Sequence, residues 1–368
     1  MNLKKSKINV AVVSFYLASK GGNGAAEVTL GIFNSIKEKK KLFEINDKKI
    51  KNKISNFFFK IFQIIKINYK LYKFFNKKEK NIVIIEGASW VGFSFFFYLI
   101  AKVFLPCTRF VYHSHNIEFD IRKSNENNFI IIFLTKYFEE FIFRNCDFST
   151  VVSINDKKRV KQLYKIETYI LENGINNERT KYKKPTFKLP KNYFMYIGSY
   201  WFKPNREAIE YILEVLLKEI RTFDKNITFI MTGEGFPSER LKNYKNIVYL
   251  KNLNKYYLNY LILNADYLLF PMKKGTGTKL KIIESLMIGG NIVTSKEGIK
   301  GIDIKFKNFP YVYKNKKHLL KILKKIKKKN KSELKKRNLK FKNYYKYKYD
   351  ISKLLYHFIN KTFLYDWK

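Results

Sequence analysis

The sequence predicts an α/β protein made of two doubly wound parallel-sheet units, on three observations. Short apolar runs alternate with amphipathic segments along most of the 368 residues. Strands that alternate with helices imply parallel sheets covered on both faces. The alternation breaks at 181–191, where Pro185, Pro190 and several lysines erase any periodicity and read as a linker. A hydrophobic content of 46% is enough for two cores.

In the first unit, residues 8–14 (INVAVVS) read as a buried strand, followed by a glycine turn and a helix from about 25 to 39. Residues 39–80 are rich in lysine and aromatics with weak periodicity, and are expected to form surface helices. Residues 81–86 (NIVIIE) form the next strand. The stretch 87–105 carries one charge, Lys102, and its 19 residues just reach the length of a bilayer span. Its place between two strands, the second at 109–113, makes it instead the covering helix of a buried strand–helix–strand unit. A helix at 129–144, a strand at 148–153, a helix at 156–164 and a strand at 168–171 complete the unit.

The second unit starts with a strand at 193–199 and a helix at 205–220, where Asn205 is expected as the N-cap. Strands at 227–232 and 247–250, a helix at 255–264, a strand at 267–270, a helix at 278–288 and a strand at 291–294 follow. The run 319–331 (LLKILKKIKKKNK) sets apolar residues opposite lysines. It reads as an interfacial helix on a membrane, as the last helix of this unit, or as both at once. The tail carries Tyr and Phe at helical spacings. The expected domains are 1–184, 185–340, and a terminal helix at 341–368 that returns to the first.

Lys and Arg number 74 against 30 Asp and Glu, a net charge of +44. An anionic membrane surface and nucleic acid are the partners such a charge suits, and a merely solvated lysine surface is the plain alternative. The lysine runs lack Arg-rich or aromatic-stacking motifs, so nucleic acid is not expected. Two cysteines, Cys107 and Cys146, make no disulfide framework. With no signal peptide read in the opening residues, the expected place is the cytoplasm, peripheral on the inner face of the membrane. No His, Cys or Asp cluster has metal-ligand spacing and no Asp-x-Asp occurs, so neither metal nor cofactor is expected.

The chemistry concentrates in Gly275-Thr276-Gly277-Thr278-Lys279-Leu280-Lys281-Ile282-Ile283-Glu284, closed by Gly289-Gly290. A small-residue loop that opens a helix points backbone N–H groups and the positive end of the helix dipole at one place, which suits an anion. Lys279 and Lys281 add charge, and Glu284 offers a carboxylate to a diol. An anion beside a diol describes a nucleotide.

This segment resembles the donor-site signature of the family 4 glycosyltransferases, retaining enzymes with the GT-B fold (glycosyl transferases group 1). Further segments match in order between residues 8 and 300. Ser19-Lys20-Gly21-Gly22 resembles the N-terminal glycine loop, and Tyr112-His113-Ser114-His115-Asn116-Ile117-Glu118 a His-Asn-x-Glu stretch. Thr150 to Lys157 resembles a Val-Ser-x-x-Asp strand end, and Leu171-Glu172-Asn173-Gly174-Ile175-Asn176 the hinge. Tyr196-Ile197-Gly198-Ser199 resembles the first strand of the donor domain, and Gly233-Glu234-Gly235 a Gly-x-Gly turn.

The resemblance implies two Rossmann-like domains facing across a cleft and transfer of a sugar from a nucleotide diphosphate sugar, without a metal. The acceptor would be a hydroxyl of a saccharide or lipid-linked saccharide, in surface polysaccharide or glycolipid synthesis. It implies that Glu284 binds the donor ribose, that Gly275, Thr276, Gly277, Thr278, Gly198, Lys203 and Gly233 line the donor, and that Lys279 and Lys281 face the diphosphate. Gly21 and Gly22 would approach a ligand closely. His115 would contact the transferred sugar, with His113 as the competing choice. The family's first glutamate, eight before Glu284, is Thr276 here. That departure motivates a second reading, a GT-B scaffold without activity; a basic nucleic-acid-binding protein is a third.

Overall fold

The computed structural model describes residues 8–20, 24–45, 52–75, 79–126, 128–273, 277–306 and 309–355. The chain divides into two units, Met1–Gly174 with Ile351–Lys368, and Ile175–Asp350. Residues 175–184 thus lie in the second unit.

The first unit runs β1 (Ile8–Ser14), α1 (Gly24–Ser35), β2 (Lys39–Glu44), α2 (Lys53–Phe74), β3 (Lys80–Gly87), α3 (Val91–Phe104), β4 (Thr108–Ser114), α4 (Glu118–Asn125), α5 (Phe129–Asn145), β5 (Phe148–Val151), α6 (Ile154–Tyr164) and β6 (Tyr169–Ile170). The strands form one parallel sheet in the order β2-β1-β3-β4-β5-β6. β1 and β3 are almost continuous buried apolar runs, as strands covered on both faces must be. α3 buries Val91, Phe93, Phe97, Tyr98 and Ala101, so the stretch 87–105 is a covering helix as expected. No described helix is long and apolar enough to cross a membrane.

The lysine-rich stretch 39–80 departs from expectation. Residues 39–44 (KKKLFE) pair with β1 as the edge strand, and only Phe43 is buried. Lysines on an open edge keep it from pairing with other chains, and they hide its strand character in the sequence. α4 is a further element that the sequence did not announce.

The second unit runs β7 (Tyr193–Ile197), α7 (Lys203–Tyr211), a π-turn (Ile212–Leu216) into α8 (Leu217–Arg221), β8 (Thr228–Thr232), β9 (Ile247–Leu250), α9 (Lys255–Asn264), β10 (Tyr267–Phe270), α10 (Leu280–Ile288), β11 (Ile292–Ser295), β12 (Tyr311–Tyr313), α11 (Lys316–Lys327) and α12 (Lys331–Lys348). Its sheet is again parallel, in the order β12-β11-β10-β7-β8-β9. α10 stops at Gly289, which takes a left-handed conformation (φ 94°) as the helix C-cap. α11 buries Leu319, Leu323 and Ile326 in the core of this unit. The run 319–331 thus falls largely in a core-packed helix of this unit, but not in its last, since α12 follows.

At the junction, Ile175 N donates to Tyr349 O (2.8 Å) and Asn177 Nδ2 to Asp350 Oδ2 (2.7 Å), within the second unit. The chain then re-enters the first unit, where Ile351 packs over Gly31 and the Ser352 and Ser35 hydroxyls bond at 3.1 Å. The returning segment thus begins after α12.

Candidate functional site

In the second unit, Lys281 in the first turn of α10 meets Tyr196 near the carboxyl end of β7 and Phe270 at the end of β10. Gly277 has φ 67°, and Lys279, the N-cap residue of α10, turns its ammonium back to Gly277 O (2.7 Å). Lys279 makes no side-chain cap bond, and its carbonyl accepts from Ile282 N (2.9 Å) and Ile283 N (3.3 Å) as the first turn closes. The Thr278 hydroxyl oxygen is buried and has no hydrogen-bond partner. Gly275 and Thr276 lie outside the described residues.

Lys281 points inward. Its Nζ donates to Tyr196 OH (2.8 Å) at the end of β7 and to Asn205 Oδ1 (2.7 Å) in α7, and lies over the Tyr196 ring at 4.3 Å. Burial, then the neighbouring Lys279 charge, push its ammonium down to about 7. Asn205 completes this knot: Oδ1 also accepts from Tyr196 OH (3.0 Å) and Nδ2 donates to Ser199 O (3.0 Å). Asn205 is therefore not the N-cap of α7. That position is Phe202, which caps with no side chain. Its role as the amide that holds Lys281 was missed, as was that of Tyr196, because both act through partners distant in sequence.

Glu284, one turn into α10, is largely buried and forms an ion pair with Lys255 at the start of α9. Gly198 and Gly233 end β7 and β8. A Cβ on Gly233, whose φ is 132°, would meet Gly198 O at 2.4 Å, so these two turns touch only because Gly233 has no side chain. Lys203 is exposed at the start of α7. The second unit thus gathers Thr278, Lys279 and Lys281, sets Glu284 one turn on, and leaves Lys203 on the surface.

The first unit carries a buried polar row. Register places Ser14, Glu86, His113 and Thr150 side by side across β1, β3, β4 and β5, at the carboxyl end of the sheet. Glu86 Oε2 accepts from Thr29 Oγ1 (2.6 Å) and from His115 Nε2 (2.7 Å). Burial pushes the Glu86 carboxyl up, but the bond from His115, the adjacent imidazoles and the Thr29 hydroxyl outweigh it and hold it below its ordinary value. The Thr150 hydroxyl donates to Tyr112 O (3.3 Å), so His113 Nδ1 donates to it (2.8 Å) and His113 Nε2 is left as an acceptor. Burial keeps His113 neutral, pushed down to about 4.

His113 Nε2 and Glu86 Oε1 are buried without partners. The ligating atoms of Glu86, His113 and His115 lie within 4.8 Å of one another, a donor set a divalent cation accepts. Spacing could not reveal this group, because adjacent strands bring it together. Gly21 and Gly22 lie outside the described residues. Glu139 of α5 accepts from the N–H groups of Glu118 (2.6 Å) and Phe119 (3.1 Å) and so caps α4, which begins after the His115 loop.

Comparison with known proteins places this geometry. Residues 191–317 match the family model of glycosyl transferases group 1. The chain superposes on sucrose-phosphate synthase from Thermosynechococcus elongatus with a TM-score of 0.72 at 10% identity, covering 96% of this chain and 97% of that one. It superposes on OtsA with a TM-score of 0.69 at 12% identity, covering 96% and 99%. Anabaena HepE, solved in complex with UDP-glucose, gives 0.66 at 10% identity, covering 96% and 98%. No curated protein matches the sequence. By that match residues 191–317 are a region of the glycosyl transferases group 1 family, and the chain's two Rossmann-like sheets have the GT-B fold.

Proposed function

We propose that the chain transfers a sugar from a nucleoside diphosphate sugar to a hydroxyl acceptor with retention at the anomeric carbon, and that the second unit holds the donor. The observation that carries this reading is the first turn of α10. There the helix start, which Lys279 does not cap with its side chain, the unpartnered Thr278 hydroxyl and Lys281 lie within four residues, and Lys281 reaches Tyr196 near the carboxyl end of β7, the usual side for a nucleotide on such sheets. Glu284 would accept hydrogen bonds from the ribose diol, and Lys255 fixes its charge meanwhile.

In the transfer, the bond from the anomeric carbon to the diphosphate oxygen breaks, one to the acceptor oxygen forms on the same face, and the acceptor's hydroxyl proton passes to the leaving diphosphate. Charge that develops on the leaving diphosphate would meet the helix N-terminus, Lys279 and Lys281. These supply what a divalent cation would otherwise supply, so the donor is bound without metal. Lys203, Gly198 and Gly233 remain candidates for lining it. Uridine is the first base to test, since Anabaena HepE was solved with UDP-glucose and an E. coli trehalose-6-phosphate protein with UDP-2-fluoro glucose.

The same reading makes the acceptor a saccharide or lipid-linked saccharide of surface polysaccharide or glycolipid synthesis. It places the chain on the cytoplasmic face of an anionic membrane. The net charge of +44 and the apolar helix faces of the first unit support it. The polar row around Glu86, His113 and His115 supports a separate role for the first unit toward sugar hydroxyls.

A thermal-shift screen of UDP, GDP, ADP and TDP sugars, run in EDTA, tests the donor reading. One class should raise the melting temperature by mass action. No shift with any of them at millimolar concentration would overturn it.

A further inference from the structure

α2 carries an apolar stripe that no described residue of its own unit covers. Ile54, Phe58, Phe62, Ile65, Tyr69 and Tyr72 are each 47–69% exposed. At about 100° per residue they fall within an arc of about 80°, centred about 150° around the helix from the face that Ile64, Ile67 and Leu71 bury in the core. At about 1.5 Å per residue the stripe is about 27 Å long. α2 packs on α3, and α3 on α5, so the three helices form one layer. α5 repeats the pattern with exposed Phe129, Phe133 and Tyr137.

We infer that this face of α2 is the chain's docking surface for an anionic lipid bilayer, lying in the interface with its aromatic stripe among the acyl chains. This rests on the membrane part of the proposed function and assigns it to a surface. Charge decides the occupant. The helix has lysines and no Asp or Glu along its 22 residues. Lys66, Lys70 and Lys73 are exposed along one flank of the stripe, where long side chains reach up to lipid phosphates while rings go down. A second copy of the chain would bring the same lysines against themselves, an unfavourable self-contact. The sequence pointed to 319–331 for such a role, but that helix spends its apolar stripe on its own core.

The test uses the full chain and vesicle sedimentation, with phosphatidylcholine alone and with a third phosphatidylglycerol. Wild type should bind the anionic vesicles and stay partly bound in about 1 M NaCl, where the Debye length of about 3 Å removes long-range attraction. Phe58→Ser with Phe62→Ser should weaken binding at least about tenfold and make the remainder fully releasable by salt. Lys66→Gln with Lys70→Gln and Lys73→Gln should abolish the preference for anionic lipid. All these side chains are exposed, so melting temperatures should be unchanged.

Undiminished binding by the phenylalanine variant would overturn the assignment, as would complete release of wild type by salt. A wild-type dimer that the phenylalanine variant dissociates, without vesicle binding, would give the stripe to a second copy and overturn it too. UDP-sugar affinity, measured on the same variants, should be unchanged. Its loss in wild type would count against the donor reading alone.

Discussion

The hydrogen-bond partners of the Lys281 ammonium are a phenol and an amide oxygen, not a carboxylate, and burial holds it at about 7. An anion bound at the helix start would supply the missing negative charge and draw the proton on. Below pH 7 the lysine is already charged; above it, binding must take up a proton. Donor affinity should therefore fall as pH rises from about 7 to 9, by up to about tenfold per unit. Titration calorimetry in two buffers of different ionisation enthalpy should show that proton uptake, and Lys281→Met should remove it. A flat profile in wild type would place Lys281 away from the diphosphate. The sequence identified Lys281 from its place three residues before Glu284. It did not identify Asn205 or Tyr196, because a capping asparagine and a core tyrosine have the same local signature whether or not a lysine 76 or 85 residues away turns toward them.

At the scale of elements, punctuation decided what could be read. α10 was legible because a Gly-Thr loop opens it and Gly289-Gly290 closes it. β2 was not, since the lysines that protect an edge strand also erase its apolar alternation. α11 and α2 show the limit of amphipathic patterns: both set apolar residues beside lysines, and only the fold says which stripe is spent. Leu323 is buried, so Leu323→Ala should destabilise the second unit by about 2–5 kcal/mol in a denaturant titration. A loss under about 0.5 kcal/mol, the range of surface substitutions, would return α11 to the interfacial reading. Gly233→Ala, which sets a Cβ 2.4 Å from Gly198 O at a φ of 132°, should cost about 1–3 kcal/mol and disturb the donor turns with it. Wild-type stability and donor affinity in that variant would show the turns to be more yielding than the contact implies.

Across the whole molecule, the two-sheet fold was legible from alternation alone, because parallel strands buried on both faces must be apolar and must be separated by helices. The Glu86, His113 and His115 group was not: its members lie on neighbouring strands, and register joins them. The donor reading rests on the helix start and its lysines, so chelation should leave donor affinity unchanged. Equal nucleoside diphosphate affinity with and without EDTA is expected; a loss restored by Mg²⁺ or Mn²⁺ would show that a cation, not the helix start and its lysines, holds the diphosphate. The central claim is that α10 binds a nucleotide sugar, and its most direct measurement is a calorimetric titration of UDP-glucose, or the donor the screen selects, into wild type and Glu284→Ala. Removal of a charge-assisted hydrogen bond should cost about 1.5–3 kcal/mol, about tenfold to a hundredfold in affinity, with the melting temperature of the free protein held; equal affinity in the two proteins would contradict it.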